Sequence, residues 1–452
     1  MLKSKIRNQI GLFLIAILTL SLGLAWISTG LRTTQGFGSF FAMTALGGVV
    51  LAAAWWSLKA EAPPRWLGWL LVGGMLLRLA VGVIWFLVLP KWGHGTNVEL
   101  AGYVMSDAHR RDLAAWDLAQ SEDSLFSAFQ DYRLADQYGG LLYLSAAVYR
   151  FIGGDTHQPL MMVVLTASFS ALTILYGWAL TRRLWGGDEA RIAAWILVIY
   201  PEAILLGSSQ MREAFMMPLV GMAVYGLILY WQEQKWQGIA WVIAVLGLSL
   251  PLSTLFSVLL LGILIAMMLV LGKAQILRNW VLWAVLGCLL VIGVVGIWLL
   301  GDRIYPEGAS NPWELISQWL VFAARWEKHT ISQLSAWFEK ILRRSPEWMH
   351  IWLILGYGTV QPFLPAAVIA GGIWSWRLMA IWRAMGWTLL LVLLLYAPIR
   401  AGQKIRKTYI AAGLALIVWF GVLLAAYRGG ADQWDNPRYR VVFVVLQAAL
   451  AA

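Results

Sequence analysis

The sequence predicts an all-α polytopic membrane protein, a bundle of about 11–13 transmembrane helices with amphipathic helices in long outer loops. Three observations predict it. Hydrophobic residues make up 60% of the 452 and charged residues 13%, against roughly 25% charged in soluble proteins. Apolar runs recur at the length of roughly 20 residues that a helix needs to cross the hydrocarbon core. The chain also carries 29 Trp, a side chain that favours the membrane–water boundary.

The predicted spans are 9–29, 38–58, 66–90, 158–181, 190–207, 214–231, 237–253, 255–272, 279–300, 352–374, 385–399 and 408–427. Basic residues from Met1 to Asn8 precede the first run, as in a signal peptide. The run is long and no small-residue cleavage site follows, so it is read as a span. Tyr357 to Pro365 (YGTVQPFLP) reads as a re-entrant or broken segment, so 352–374 is not counted as a full crossing. The final run, 441–452, is too short to cross.

Cations assign the sides. Lys3, Lys5 and Arg7 precede the first span, and Lys59 and Arg65 follow the second. Arg182, Arg183 and Arg191 surround the loop after Leu180, and Lys273 and Arg278 flank the segment near 275. Arg400, Lys404, Arg406 and Lys407 form the densest cluster. Alternating spans put all of these on one side, which the charge bias makes cytoplasmic, with the N-terminus. The expected location is a bacterial plasma (inner) membrane. The net charge of +11 then reflects topology and anionic lipid headgroups rather than nucleic acid. Cys288 is the sole cysteine and lies in an apolar run, so neither a disulfide nor a cysteine metal site is available.

The chain shows no internal repeat and is read as one membrane domain, 1–452. Two outer insertions stand out, 91–157 with an acidic motif and 302–350. Helix connections usually need about 2–8 residues, and loops much longer than that are commonly functional. In the second, Trp313, Leu315, Ile316, Trp319, Leu320 and Phe322 recur at helical spacing. Such a helix lies in the headgroup layer or packs as a lid on the bundle. A shorter outer stretch is 428–440.

Five places hold charge with chemical potential. Ser106 or Asp107 is a good N-cap for a helix that carries Arg111 and Asp112. Asp107 and Arg111 are then i,i+4 neighbours. The carboxylate is a base for a hydroxyl, or simply a cap paired with Arg111. Arg212 and Glu213 sit between two spans on the outer side and either pair with each other or bind a phosphate and orient a sugar hydroxyl. Arg438 and Arg440 precede the last apolar run and either bind a ligand or snorkel to lipid phosphate. Arg78 lies near the middle of 66–90, either functional or close to the inner surface. The five His are scattered, without metal-ligand spacing, although His109 lies near Asp107. No Walker loop, dinucleotide fingerprint or GxSxG occurs.

Ser106-Asp107-Ala108 is followed by Asp112 and by Trp116-Asp117-Leu118-Ala119. An aromatic-rich segment, Asp136-Gln137-Tyr138-Gly139-Gly140-Leu141-Leu142-Tyr143, comes next. Tyr200-Pro201-Glu202 leads into Ser208-Ser209-Gln210-Met211-Arg212-Glu213, and Asn436-Pro437-Arg438-Tyr439-Arg440 precedes the last run. This pattern resembles the polyprenyl-phosphate-sugar-dependent glycosyltransferases of GT-C fold, in the group of family-39-like and RgtA-like bacterial enzymes. The likeness covers 66–231 and 428–445; elsewhere it is one of hydropathy. Two departures are visible. Three predicted spans, 9–29, 38–58 and 66–90, precede the acidic loop where many members have one, and Ala108 stands where a second acid is common.

The resemblance implies a GT-C-like bundle and a sugar moved, with inversion, from a polyprenyl-phosphate carrier to a hydroxyl of a lipid, glycan or protein acceptor. Asp107 would be catalytic, by deprotonating or orienting that hydroxyl. Arg111, Asp112, Tyr138, Arg212, Glu213, Arg438 and Arg440 would bind substrate, with Arg212 and the late arginines on the leaving phosphate. No cofactor is required, and Ala108 argues against a bridging divalent cation. The competing readings are a non-catalytic envelope-polysaccharide or membrane-complex scaffold and a secondary transporter. The transporter would need matching halves with broken spans, which the sequence does not show.

Overall fold

The computed structural model describes residues 2–271, 336–369, 371–403, 408–430 and 435–452, with isolated residues between 283 and 317. All regular structure among them is helical. The helices are α1 Leu2–Ser28, α2 Phe37–Ser57, α3 Arg65–Trp92, α4 Asn97–Leu100, α5 Ser106–Gln120, α6 Gly140–Phe151, α7 Leu160–Leu184, α8 Gly187–Ile199, α9 Pro201–Gly207, α10 Arg212–Glu233, α11 Trp236–Ser249 and α12 Thr254–Leu271. After these come α13 Ala336–Arg344, α14 Glu347–Val360, α15 Leu364–Ile369, α16 Trp374–Gln403, α17 Thr408–Gly429, α18 Asp435–Val441 and α19 Val444–Ala451.

Among the described residues seven helices are long and apolar enough to cross a membrane, or up to eight if α8 and α9 count as one bent span. The protein is therefore a multi-pass membrane protein. Several expected spans differ in detail. The 190–207 run bends by 55° between α8 and α9. Pro201 causes the break, because it brings no N–H to continue the ladder from α8. The 237–253 run forms only the short α11. The 352–374 run breaks at Gln361–Phe363, between α14 and α15. The 385–399 run is the middle of the much longer α16. The 279–300 span and most of the Trp313–Phe322 pattern lie outside the described residues.

Contacts divide the chain into two compact units. Unit 1 comprises 1–172 and 207–214; unit 2 comprises 173–206 and 215–452.

In unit 1, α1 pairs with α2 and α5 with α6. Small residues permit close helix approach, as is general where lipid offers no hydrophobic drive. A Cβ on Gly82 would lie 2.6 Å from Val163 Cγ1 and 2.8 Å from the Ser208 carbonyl oxygen. Arg78 is wholly buried. Its Nε donates to Ser170 Oγ at 3.1 Å and its Nη1 to the Gly74 carbonyl at 2.9 Å. Arg78 thus sits inside the unit, bonded to its own helix and to α7.

In unit 2, α8 packs on α19, and α17 packs on α12, α14, α16 and α18. The amphipathic α13 buries Phe338 against Ile354 and stacks it on Tyr357 at 4.2 Å. Its Lys340, Arg343 and Arg344 stay exposed. At the α8–α9 break the polar Glu202 is 2% exposed. It accepts a two-pronged bond from Arg383 of α16, Nε to Oε2 at 2.8 Å and Nη2 to Oε1 at 2.9 Å. A buried charge survives in such surroundings only when paired in this way.

Two outcomes follow from these arrangements. Removing one partner, Arg383→Met, leaves Glu202 buried without its two-pronged ion pair, with Arg440 as its remaining cationic neighbour. It should cost about 3–5 kcal/mol in a detergent unfolding titration. The double variant Glu202→Gln with Arg383→Met should regain most of that loss; if it is no better than the single variant, the pair is not what stabilises the break. In the first outer loop, Thr96 and Glu99 form a capping box on α4. Burial alone would raise the Glu99 pKa, but bonds from the His94 and Thr96 backbones and side chains outweigh it and hold it at about 2. The folded value lies below the ordinary 4.5, so this stabilisation is complete above pH 4.5 and fades as pH falls towards 2. Amide exchange at Glu99 and Leu100, corrected for intrinsic rate, should lose protection across that window, and the Glu99→Gln variant should show no such transition.

Candidate functional site in the first outer loop

The site residues named from sequence divide between the two units. Asp107, Arg111, Asp112, Tyr138, Arg212 and Glu213 belong to unit 1, and Arg438 and Arg440 to unit 2.

Helix α5 begins at Ser106, with Met105 as N-cap and no side-chain cap bond. Neither Ser106 nor Asp107 is the cap; both lie in the first turn. An anion there is favoured by the unpaired N–H groups and the helix dipole. The Asp107 side chain is 31% exposed, and its Oδ1 accepts from Arg110 Nη2 at 2.6 Å. Arg111, the i,i+4 partner expected from spacing, instead turns inward and is 2% exposed. Its Nη1 donates to the Gln210 carbonyl at 2.9 Å, and its Nε lies 3.6 Å from Asp136 Oδ2. Asp136 also accepts from the Leu142 N–H, in the first turn of α6. Gln210 in turn donates from Nε2 to Ser145 Oγ. Arg111 therefore ties α5 to the 207–214 turn.

Asp112 is fully buried and gathers donors from three other segments. Its Oδ2 accepts from the Tyr103 hydroxyl and from His157 Nε2, the latter at 2.7 Å. Its Oδ1 accepts from the Tyr149 hydroxyl at 2.6 Å. Burial, the Asp112 charge and its hydrogen bond push the Tyr103 hydroxyl well above its ordinary pKa. Burial and Asp112, with Tyr103 added, do the same to Tyr149. Both phenols thus stay protonated and donate. Trp116 packs at 5.3 Å from the His157 ring and 5.6 Å from Tyr149. His109 stacks on Tyr103 at 5.0 Å. Burial lowers the His109 pKa, Asp112 opposes that, and His157 adds to it.

A small cleft adjoins this cluster, walled by Phe86, Tyr103, Ala108, Pro159, Ser209 and Gln210. At the N-terminal end of α10 the Arg212 guanidinium lies 5.1 Å from the centre of the Tyr138 ring. Tyr138 is 6% exposed and Glu213 5%. Among the described residues no group of three or more His, Cys, Asp or Glu is placed to hold a metal ion.

In unit 2, Arg438 Nη1 lies 3.6 Å from Asp435 Oδ1. Arg440 is fully buried, with its guanidinium 3.2 Å from the centre of the Trp387 ring. Tyr200, Glu202 and Arg383 are its polar neighbours.

Sequence reasoning did not find Tyr103, Tyr149 or His157 as partners of Asp112. They lie 9, 37 and 45 residues from it, and no local spacing links them. One signal was present: His157 stands immediately before an apolar run, at the level where a span leaves the membrane.

A family model described as dolichyl-phosphate-mannose-protein mannosyltransferase matches residues 141–298. The match begins beyond the α5 motif, includes Arg212 and Glu213, and stops before Arg438 and Arg440. No curated protein matches the sequence. Among solved structures, the oligosaccharyltransferase of Archaeoglobus fulgidus in its apo form aligns at 14% identity and TM-score 0.45, over 84% of this chain and 50% of that one. The archaeal oligosaccharyltransferase of the same organism, in complex with an inhibitory peptide and a dolichol-phosphate, aligns at 16% identity and TM-score 0.43, over 85% and 50%. The chain thus spans about half the length of the solved structures it matches. Over residues 141–298 it is similar to the dolichyl-phosphate-mannose-protein mannosyltransferases, which agrees with the GT-C resemblance carried by its motifs.

Proposed function

We propose that the chain is an integral membrane glycosyltransferase. It moves a sugar from a polyprenyl-phosphate carrier to an acceptor hydroxyl at the outer face of a bacterial plasma membrane, with its N-terminus cytoplasmic. The observation that carries this reading is the pair of opposite charges in unit 1, in the first turns of α5 and α10. Asp107 presents a partly exposed carboxylate in the first turn of α5, and Arg212 presents a guanidinium braced on Tyr138. The family match supports it, since its description names a lipid-phosphate-linked sugar donor and its range includes Arg212.

The chemistry is a direct displacement with inversion. The acceptor oxygen bonds to the anomeric carbon while the bond from that carbon to the carrier phosphate breaks. The electron pair leaves with the phosphate, which gains one negative charge. Arg212 meets that charge with charge-assisted hydrogen bonds, stronger in the transition state than before it. Asp107 orients or deprotonates the acceptor hydroxyl. Arg111 and Asp112, both buried, position these groups, and the Arg212–Tyr138 contact fixes the cation. Glu213 orients the donor. No cofactor is needed, because the phosphate leaves readily once its charge is met.

Purified protein in liposomes, given a short-chain polyprenyl-phosphate mannose and a panel of lipid, glycan and peptide acceptors, should transfer sugar. Asp107→Asn should lower kcat by about a hundredfold or more while the protein stays folded. Equal rates for the two would reduce Asp107 to a helix-dipole role. Loss of one charged hydrogen bond to the donor is worth about 1.5–3 kcal/mol. Arg212→Met should therefore lower kcat/KM for the donor by roughly 10- to 100-fold, and Arg212→Lys should retain part of it. A value unchanged in Arg212→Met would remove the phosphate assignment.

A further inference from the structure

Within the glycosyl-transfer reading above, Asp107 has two alternative roles, orienting the acceptor hydroxyl or taking its proton. We propose that His157, held by the buried carboxylate of Asp112, accepts that proton.

Four observations carry this. Tyr103 and Tyr149 both donate to Asp112, so the carboxyl group acts as an acceptor through both of its oxygens. The 2.7 Å contact places His157 Nε2 as the donor to this acceptor; in the neutral imidazole that tautomer carries its free lone pair on Nδ1. His157 makes no further hydrogen bond among the described residues. A buried carboxylate that fixes the tautomer and heading of an imidazole is the arrangement that makes histidine a general base.

The ring is also accessible and held in place. The His157 side chain is 22% exposed. Its faces and edges meet Trp116 at 5.3 Å and Tyr149 at 5.4 Å.

Position adds the third strand. His157 stands three residues before α7, at the outer boundary where a carrier phosphate must sit. The adjoining cleft is walled by Pro159 and Leu160, the next-but-one and third residues along, and by Tyr103, which shares Asp112 with His157.

The fourth observation concerns Asp107, the competing base. Its Oδ1 is already engaged by Arg110 Nη2 at 2.6 Å. Asp107 then orients the hydroxyl while His157 takes the proton. In the balanced step the acceptor oxygen bonds to the anomeric carbon, the carbon–phosphate oxygen bond breaks, and the phosphate keeps the electron pair. The proton moves to Nδ1, giving an imidazolium paired with Asp112. Release to the outer solution restores the site. Asp112 is a positioning residue in this scheme; His157 is the catalytic one.

The test uses the whole chain in liposomes with a short-chain polyprenyl-phosphate mannose. His157→Ala should lose about a hundredfold or more in kcat with little change in donor KM. Added imidazole should restore part of the rate in proportion to its concentration, which a structural role would not permit. In ¹⁵N-histidine-labelled protein, the resonance that His157→Gln removes should show the proton on Nε2, and Asp112→Asn should abolish that preference. A His157→Ala variant that keeps nearly the wild-type rate would overturn the assignment. So would a folded, silent variant that imidazole does not rescue. A wild type that transfers no sugar from any carrier, while its spectrum still shows the Nε2–H form, would overturn the transfer reading and the base assignment with it.

Discussion

The buried carboxylate of Asp112 is the constraint on which the outer part of unit 1 depends. One side chain collects Tyr103 before α5, Tyr149 from α6 and His157 after it. Removing a carboxylate from water costs several kcal/mol unless its lone pairs are filled, and here three donors fill them. The consequence is geometric. The start of α5, the body of α6 and the entry to α7 share one anchor, so the cleft beside Tyr103 and Ala108 has walls of fixed spacing. Arg111, one residue earlier on the same helix, does the corresponding work towards the 207–214 turn through the Gln210 carbonyl and Asp136. A loop between spans is ordinarily the mobile part of a membrane protein. Two adjacent buried charges, of opposite sign and facing different neighbours, make this one a framework.

The same logic explains how the spans tolerate charge. Arg78 is enclosed by its own helix and by Ser170. Glu202 and Arg383 neutralise each other across the α8–α9 break. That break exposes backbone groups which a continuous helix would have satisfied, and polar side chains are tolerated where such groups gather. Arg440 is compensated differently, by the face of Trp387, with Tyr200 and Glu202 beside it. A guanidinium is weakly hydrated and planar, so an indole face is a fitting partner for it. The late Arg-Tyr-Arg stretch is therefore built at least partly for unit 2 itself: Arg440 is inside it, whereas Arg438 keeps 10% of its side chain exposed.

How much of this the sequence disclosed depends on the range of the interaction. Helical class, membrane insertion and the positions of the long apolar runs are local properties, set by composition and by the 30 Å or so of hydrocarbon. They are legible, and α2, α3, α7, α10, α12 and α17 lie within a few residues of the expected spans. The special behaviour of 352–374 was also legible, because Pro362 marks it. The α8–α9 bend was not read, although Pro201 stands in the sequence as plainly. In the site, the α5 helix and its charges were legible, but not which charges turn inward. Asp107 and Arg111 satisfy i,i+4 spacing, yet α5 starts one residue earlier and the other face of the helix holds the core. The partners of Asp112 were invisible for a different reason. They come from other segments, and only tertiary packing brings them to one carboxylate.

The charge balance of the proposed reaction gives these details a common purpose. Displacement at the anomeric carbon creates one negative charge on the leaving phosphate and frees one proton from the acceptor. A site at a membrane boundary has less water to absorb either, so fixed groups must do it. A cation that has to reorganise at the moment of reaction contributes less than one already in place. Arg212, braced on Tyr138, is in place before the donor arrives. The proton needs the opposite kind of group, neutral beforehand and charged afterwards, with its counter-charge already buried beside it. Asp107 is tied to Arg110 rather than to a buried counter-charge. An imidazole on a buried carboxylate meets that requirement, and it converts a lone buried anion into an ion pair as it reacts. In the proposed reaction the two charges of the transition state would thus be met by groups of complementary behaviour, one a standing cation and one ionised by the reaction.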